Sequence, residues 1–255
     1  MDTSRKQDGM PARALVQVLA LVALVGCGGG GAPKRPVTPL DHTTTGTVEG
    51  EVRVDGTPPA STQLTVGTFP GCSVAGGGTV SAGDVLVADG RVQNAVVWVK
   101  SGLGDRVFAV PDTPVEIDQK GCLYVPRVVA AQVGQPIVFK NSDATLHNVH
   151  GTPKASSGWN FGLAVVGASR TITIDHAEVP VGVRCDVHPW MQAWVAVTDH
   201  PYVAVTGADG RFALRDVPPG EYVVAVWHER LGTREARVAL GPRETKSVAF
   251  TLGAQ

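Results

Sequence analysis

"RCDVHPWMQAW", residues 184–194, sets Cys185, His188 and Met191 three residues apart in one short loop. A thiolate, an imidazole and a thioether are soft or borderline metal ligands, and this spacing lets all three side chains turn onto a single ion. The chain has three methionines, Met1, Met10 and Met191. A core that uses no other methionine gives Met191 little reason to be a packing residue. Cys185 and His188 alone would also suit a nucleophile and its base. No third orienting residue accompanies them, and a methionine three positions on has no catalytic use.

A trigonal metal plane needs a second imidazole, and the stretch "YVPRVVAAQVGQPIVFKNSDATLHNV", residues 124–149, supplies His147, 38 residues before Cys185. Two histidines and a cysteine in a plane, with a weak axial methionine, are the ligands of a type 1 (blue) copper site. His150 competes with His147, but on one strand the two face opposite sides. The Asn-Val that follows His147 favours His147.

Taken together, the upstream strand pair ending in Asn-x-Asp, then His-Asn-Val, and the Cys-x-x-His-x-x-Met loop resemble a cupredoxin of the plastocyanin/azurin superfamily with amicyanin-like spacing. The resemblance covers residues 107–199 and implies a Greek-key β-sandwich holding one copper through His147, Cys185, His188 and Met191. It also implies that Asn148 stitches the loops, its backbone N–H toward Cys185 Sγ and its side chain toward Asp186. Pro189 and Trp190 flank His188, the ligand expected to be exposed, and are candidates for docking a partner or for packing on the ring. The chain departs from the family at Val183, where an aromatic is common, and at Asp186, where Ser or Thr is frequent.

Almost everything after residue 45 reads as strand and turn. "TVEGEVRV" alternates, "GRVQNAVVWVK" and "VGQPIVFKN" are β-branched runs, and "GEYVVAVWHE" suits a strand with two different faces. Asp-Gly pairs at 55–56, 89–90 and 209–210 predict tight hairpins, and Pro219-Gly220 predicts a type II turn. The fold class is all-β. Residues 200–255, with "ADGRFALRDVPPGEYVVAVWHE", resemble the C-terminal half of a carboxypeptidase regulatory-like (transthyretin-like) sandwich. The opening half is matched instead by "VEGEVRVDGTPP" and "NAVVWVK" within 46–103. The expectation is that 46–103 and 200–255 pair into one sandwich, with the cupredoxin inserted between them. The alternative is a linear order, with 46–103 extending the cupredoxin sheet and 200–255 standing alone.

The start of the chain is read as a leader. Arg5, Lys6 and Arg13 precede an apolar run too short to span a membrane comfortably. It ends in "LVGC", which resembles the lipobox of bacterial lipoproteins and makes Cys27 the lipidated residue. Residues 1–26 are then a signal peptide and 27–45 a flexible tether. Cys72 and Cys122 remain as an even pair in an oxidising compartment and are expected to form a disulfide. His176, His200 and His228 are expected as surface or hydrogen-bonded histidines, with a second metal site left open. A formal net charge of −1 gives no reason to expect a nucleic-acid partner. The expected function is a lipid-anchored electron carrier of the cell envelope that meets a redox partner protein and is not an enzyme. The alternative is a copper carrier or buffer without an electron-transfer role.

Overall fold

The computed structural model describes Met1, residues 35–66, Cys72 and residues 78–253. The expected signal peptide, Cys27 and the glycine run that follows it lie outside the described residues. Every regular element among the described residues is a strand. The first part of the chain forms β1 (Gly46–Asp55), β2 (Gln63–Val66), β3 (Gly78–Ser81), β4 (Val87–Ala88), β5 (Arg91–Val92) and β6 (Val96–Ser101). The middle forms β7 (Val115–Gln119), β8 (Tyr124–Val125), β9 (Val128–Gln132), β10 (Ile137–Asn141), β11 (His147–Gly151) and β12 (Trp159–Leu163). It continues with β13 (Ser169–Ile172), β14 (Glu178–Arg184) and β15 (Gln192–Thr198). The last part forms β16 (Val203–Val205), β17 (Arg211–Val217), β18 (Gly220–His228), β19 (Gly232–Leu240) and β20 (Thr245–Gly253).

Four of the five sheets pack as two sandwiches. In one, a sheet ordered β17-β1-β5-β4, with β20 on the other edge of β1, faces a sheet ordered β16-β6-β18-β19. The two ends of the chain interleave there. β1 runs antiparallel to β17, pairing Glu49 with Ala213, and parallel to β20, pairing Val52 with Phe250. β6 lies between β16 and β18, pairing Val97 with Ala204 and with Val226. Alternation explains which side chains close this core: Val48, Val52, Val224 and Val226 are wholly buried, with Phe212 and Leu214 against them. The opposite face of β18 points elsewhere, which is why that strand is apolar on both sides.

In the second sandwich a sheet ordered β13-β10-β7-β8 faces a sheet ordered β12-β11-β14-β15-β9. β7 pairs in parallel with β10, and β9 in parallel with β15. The inward set is Ile117, Phe139, Val149, Phe161, Val181 and Val195. A third, smaller cluster joins the two sandwiches. Val96 of β6, Val128 of β9 and Ala196 of β15 are buried together, with Trp194 and Trp227 meeting edge to face, ring centroids 5.3 Å apart.

Several expectations need correction. The flexible tether does not extend to residue 45. Thr38 N–H donates to Val107 O at 2.8 Å, Val107 N–H returns to Thr38 Oγ1 at 3.0 Å, and Leu40 packs on the first core. Burying an apolar leucine against that core is favourable, so the chain is packed on the sandwich before β1 begins. Nor does the segment 46–103 serve only the first sandwich, because Cys72 is buried in the core of the second. Finally, Pro219-Gly220 is not a type II turn. Gly220 already belongs to β18, and the left-handed residue is Asp216 at φ 56°. The glycine serves a different need: a Cβ there would come within 3.0 Å of the Tyr222 hydroxyl, which donates to Pro218 O at 2.6 Å. Of the three Asp-Gly pairs only Asp89-Gly90 makes the expected hairpin, with both residues at positive φ between Ala88 and Arg91, whereas Asp55-Gly56 and Asp209-Gly210 link strands that lie in different sheets.

Candidate metal centre

Two strands and one loop converge at one end of the second sandwich. β11 has the burial pattern of a strand with one wet face: His147, Val149 and Gly151 point inward, while Asn148 and His150 point outward. β14 ends at Arg184, and the chain then folds back tightly into β15. Met191 N–H donates to His188 O at 2.9 Å, and Cys185 N–H donates to Met191 O at 3.2 Å. These two bonds fix Cys185, His188 and Met191 on one small turn.

The side chains meet. His147 Nδ1 and His188 Nδ1 lie 3.0 Å apart, and Cys185 Sγ lies 3.7 Å from His188 Nδ1. His147, Cys185 and His188 form one of the residue groups whose ligand atoms all fall within 4.8 Å of one another. Met191 is fully buried in the same core. Two backbone donors already point at the sulfur: Asn148 N–H at 3.3 Å and His188 N–H at 3.4 Å. The Asn148 side chain reaches the residue after the cysteine, its Oδ1 accepting from Asp186 N–H at 3.2 Å. Burial first, then the nearby His147, holds the His188 imidazole below its usual range, with Asp143 opposing. The imidazole is therefore neutral near pH 7, as a metal ligand must be.

His150 stays outside. Its Nδ1 lies 2.8 Å from Asp186 Oδ2 on the far face of β11. Arg184 and Asn160 also donate to that carboxylate. His200 and His228 are buried in the first sandwich and belong to none of the ligand groups among the described residues. His200 Nε2 faces Val99 O at 2.8 Å, and His228 Nδ1 accepts from Arg230 N–H at 3.2 Å. His176 is exposed.

The expectation that His188 is an exposed ligand is wrong: it is 1% exposed. Cys72 and Cys122 are joined, with Cα atoms 5.4 Å apart, and Cys72 Sγ lies 3.6 Å from His188 Nε2. Trp190 packs on the His188 ring, centroids 5.2 Å apart, and its Nε1–H donates to Cys122 O at 3.0 Å, while Pro189 is exposed. An indole fixed at its only donor is held inward, so Trp190 is a packing residue of the site.

Sequence reasoning passed over Asp143, Asn141 and Tyr124. Asp143 lies four residues before His147, and its Oδ2 sits 2.9 Å from His147 Nε2. The same carboxylate accepts from Gly121 N–H and Cys122 N–H, both at 2.8 Å. Those two residues form the turn between β7 and β8 with φ of 64° and 56°, a conformation that costs a non-glycine residue about 1–2 kcal/mol and is held by the carboxylate. Asn141, wholly buried, donates from Nδ2 to Thr145 O and Leu163 O and accepts from Asp143 N–H. The Asn-x-Asp of "NSDATLH" was the signal for both. Tyr124 donates its hydroxyl to Asn148 O and Arg184 O, tying β11 to the end of β14. No spacing rule pointed to that contact.

Comparison with known proteins gives partial matches. A family model for the carboxypeptidase regulatory-like domain matches residues 188–253. Among solved structures, a Cu-containing nitrite reductase from Thermus scotoductus SA-01 is 21% identical over 37% of this chain, with a TM-score of 0.32. The chain spans about a quarter (24%) of that reductase. A mutant amicyanin in the Cu(I) state is 21% identical over 40% of this chain and 97% of its own, TM-score 0.30. A purple cupredoxin from Nitrosopumilus maritimus is 20% identical over 33% of this chain and 99% of its own, TM-score 0.29. A search of curated proteins gave no match.

Proposed function

We propose that this chain is a type 1 copper protein that carries single electrons at the cell envelope, with His147, Cys185, His188 and Met191 as the ligands. The observation that carries the reading is the convergence of two imidazoles, through their Nδ1 atoms, with a buried thiol, on a turn that also holds the one buried methionine among the described residues. That donor set suits copper, since thiolate and thioether favour Cu(I) and the imidazoles favour Cu(II). Bound copper would supply one-electron redox chemistry. The chain's own part is to exclude water from all four ligands and to direct the Asn148 and His188 N–H groups at the sulfur. Both donors stabilise negative charge on the thiolate. A rigid β-sandwich under the loop keeps the donors close to one geometry.

The proposed role is that of a carrier and not an enzyme, since a methionine three residues after His188 has no catalytic use beside Cys185. Membrane attachment through Cys27, an envelope location and a protein redox partner complete the proposal. They are supported by the basic start, the apolar run and "LVGC". The second reading, copper storage or delivery, is favoured by one feature: His188 is covered, so no ligand edge faces solvent.

The test is the spectrum of the copper-loaded protein. Cu(II) should give an intense visible thiolate-to-copper band. Cys185→Ser should abolish it, and Met191→Leu should keep the colour and raise the potential. A colourless Cu(II) complex of the wild type would sink the reading. For attachment, Cys27→Ala should move the protein from the membrane fraction to the soluble one.

A further inference from the structure

The disulfide does more than close a loop of separation 50. It is placed against the outer edge of a candidate copper ligand, and its sulfurs lie in a second group of ligand atoms. Cys72 Sγ, Cys122 Sγ and a His188 ring nitrogen all fall within 4.8 Å of one another, and all three residues are buried. The ring offers a different atom to each side. Nδ1 faces His147 and Cys185, while Nε2 faces Cys72 at 3.6 Å. The backbone at Cys122 is fixed independently of the S–S bond. Asp143 holds the Gly121 and Cys122 N–H groups, and Trp190 holds Cys122 O. Reduction would therefore leave Cys122 in place beside the imidazole.

We propose that the dithiol form of this protein has a second, Cu(I)-selective site built from Cys72 Sγ, Cys122 Sγ and His188 Nε2, with His188 shared between the two sites. A dithiol reductant breaks the S–S bond and supplies two electrons and two protons. It leaves as its own disulfide, and Cys72 and Cys122 become thiols. Cu(I) then displaces the two thiol protons to solvent without a change of oxidation state. When both sites are filled the His188 ring also gives up its N–H proton and bridges them. Two thiolates and one imidazole form a soft, three-donor set, which selects Cu(I). Zinc would call for a fourth protein ligand in a closed structural site, and the carboxylate that lies beside Cys122, Asp143, is engaged by two N–H groups and by His147. The thiol state of the protein would then set how much copper it holds. The proposal rests on the type 1 reading only for the use of His188 Nδ1.

The experiment titrates the metal-free full-length chain with Cu(I) against a chromophoric Cu(I) chelator, before and after reduction with dithiothreitol and its removal without air. The oxidised chain should bind one equivalent and the reduced chain two. Cys72→Ser should lose the second equivalent yet keep the Cu(II) colour, which also reports that it has folded. Cys185→Ser should bind one equivalent when reduced and none when oxidised, with two sulfur neighbours in X-ray absorption at the copper edge. One equivalent in the reduced wild type, or none in reduced Cys185→Ser, overturns the second site and leaves the type 1 reading intact. A colourless wild-type Cu(II) complex beside an intact reduced Cys185→Ser site overturns the type 1 reading alone. Preferential uptake of zinc by the dithiol form overturns the selectivity for Cu(I).

Discussion

Asp143 links three groups with one carboxylate: His147 Nε2, Gly121 N–H and Cys122 N–H. A carboxylate on the outer nitrogen of a ligand histidine fixes its ring and raises its basicity, so it favours the more highly charged metal. Asp143→Asn should therefore keep the blue band and raise the reduction potential, as voltammetry would read. An unchanged potential would count against the linkage. Tyr124 has a simpler role, and burial, then Cys185, raises its phenol above the usual range. Tyr124→Phe removes the donor shared by the Asn148 and Arg184 carbonyls and should cost about 0.5–1.5 kcal/mol in urea unfolding. His200 and His228 set a pH response. Burial holds both imidazoles below the ordinary 6.5, with Asp199 opposing at His200 and Glu229 at His228. As pH falls through about 6.5, the unfolded chain takes up protons that the folded chain refuses. Stability is full above that value and is lost below it, by at most about 1.4 kcal/mol per pH unit for each histidine. The double variant His200→Gln, His228→Gln should flatten the slope of urea midpoints between about pH 6.5 and about pH 5.

β1 is the strand on which the first sandwich depends, because it is bonded to β17, β5 and β20. Its Gly50 lies so close to β20 that a Cβ would sit 1.7 Å from Val248 O. Backbone cannot yield as a flexible side chain does, so Gly50→Ala should part β1 from β20. Thermal unfolding should show a drop well beyond the about 1 kcal/mol typical of a point mutation; a shift within that range would show that the strands can separate without cost. The alternating pattern of "TVEGEVRV" marked this strand, yet nothing in it names the parallel partner. The same limit applies at β18, where alternation was legible but the use of Gly220 was not. Its glycine answers to the Tyr222 hydroxyl two residues on, and only the folded turn brings that contact about.

The two sandwiches meet through the Trp194–Trp227 cluster and through one buried ion pair. Arg127, before β9, donates from Nε and Nη2 to both oxygens of Glu229 at 2.6 and 2.8 Å, and from Nη1 to Ala82 O. The side chains are 11% and 8% exposed. Removing one partner leaves the other charge buried, which costs about 3–5 kcal/mol. Arg127→Ala should therefore uncouple the sandwiches and split a single calorimetric transition into two, with the copper colour lost in only one of them. A single transition at the wild-type temperature would mean that the apolar cluster alone joins them.

The sequence by itself determined the elements and the candidate donors. Strand alternation and the Asp89-Gly90 turn are local, set by a two-residue period and by which residues accept positive φ. The candidate ligand loop is equally local, since Cys185, His188 and Met191 share one turn, and His147, proposed to join them, was singled out by the residues around it. Tertiary structure decided what covers that loop. Cys72 reaches His188 from 116 residues away, Trp190 turns inward to Cys122 O, and Asp143 joins the disulfide turn to His147. Such contacts depend on how the two sandwiches and their connecting segments pack, and burial of neighbouring surface is additive and non-directional. No spacing along the chain encodes it.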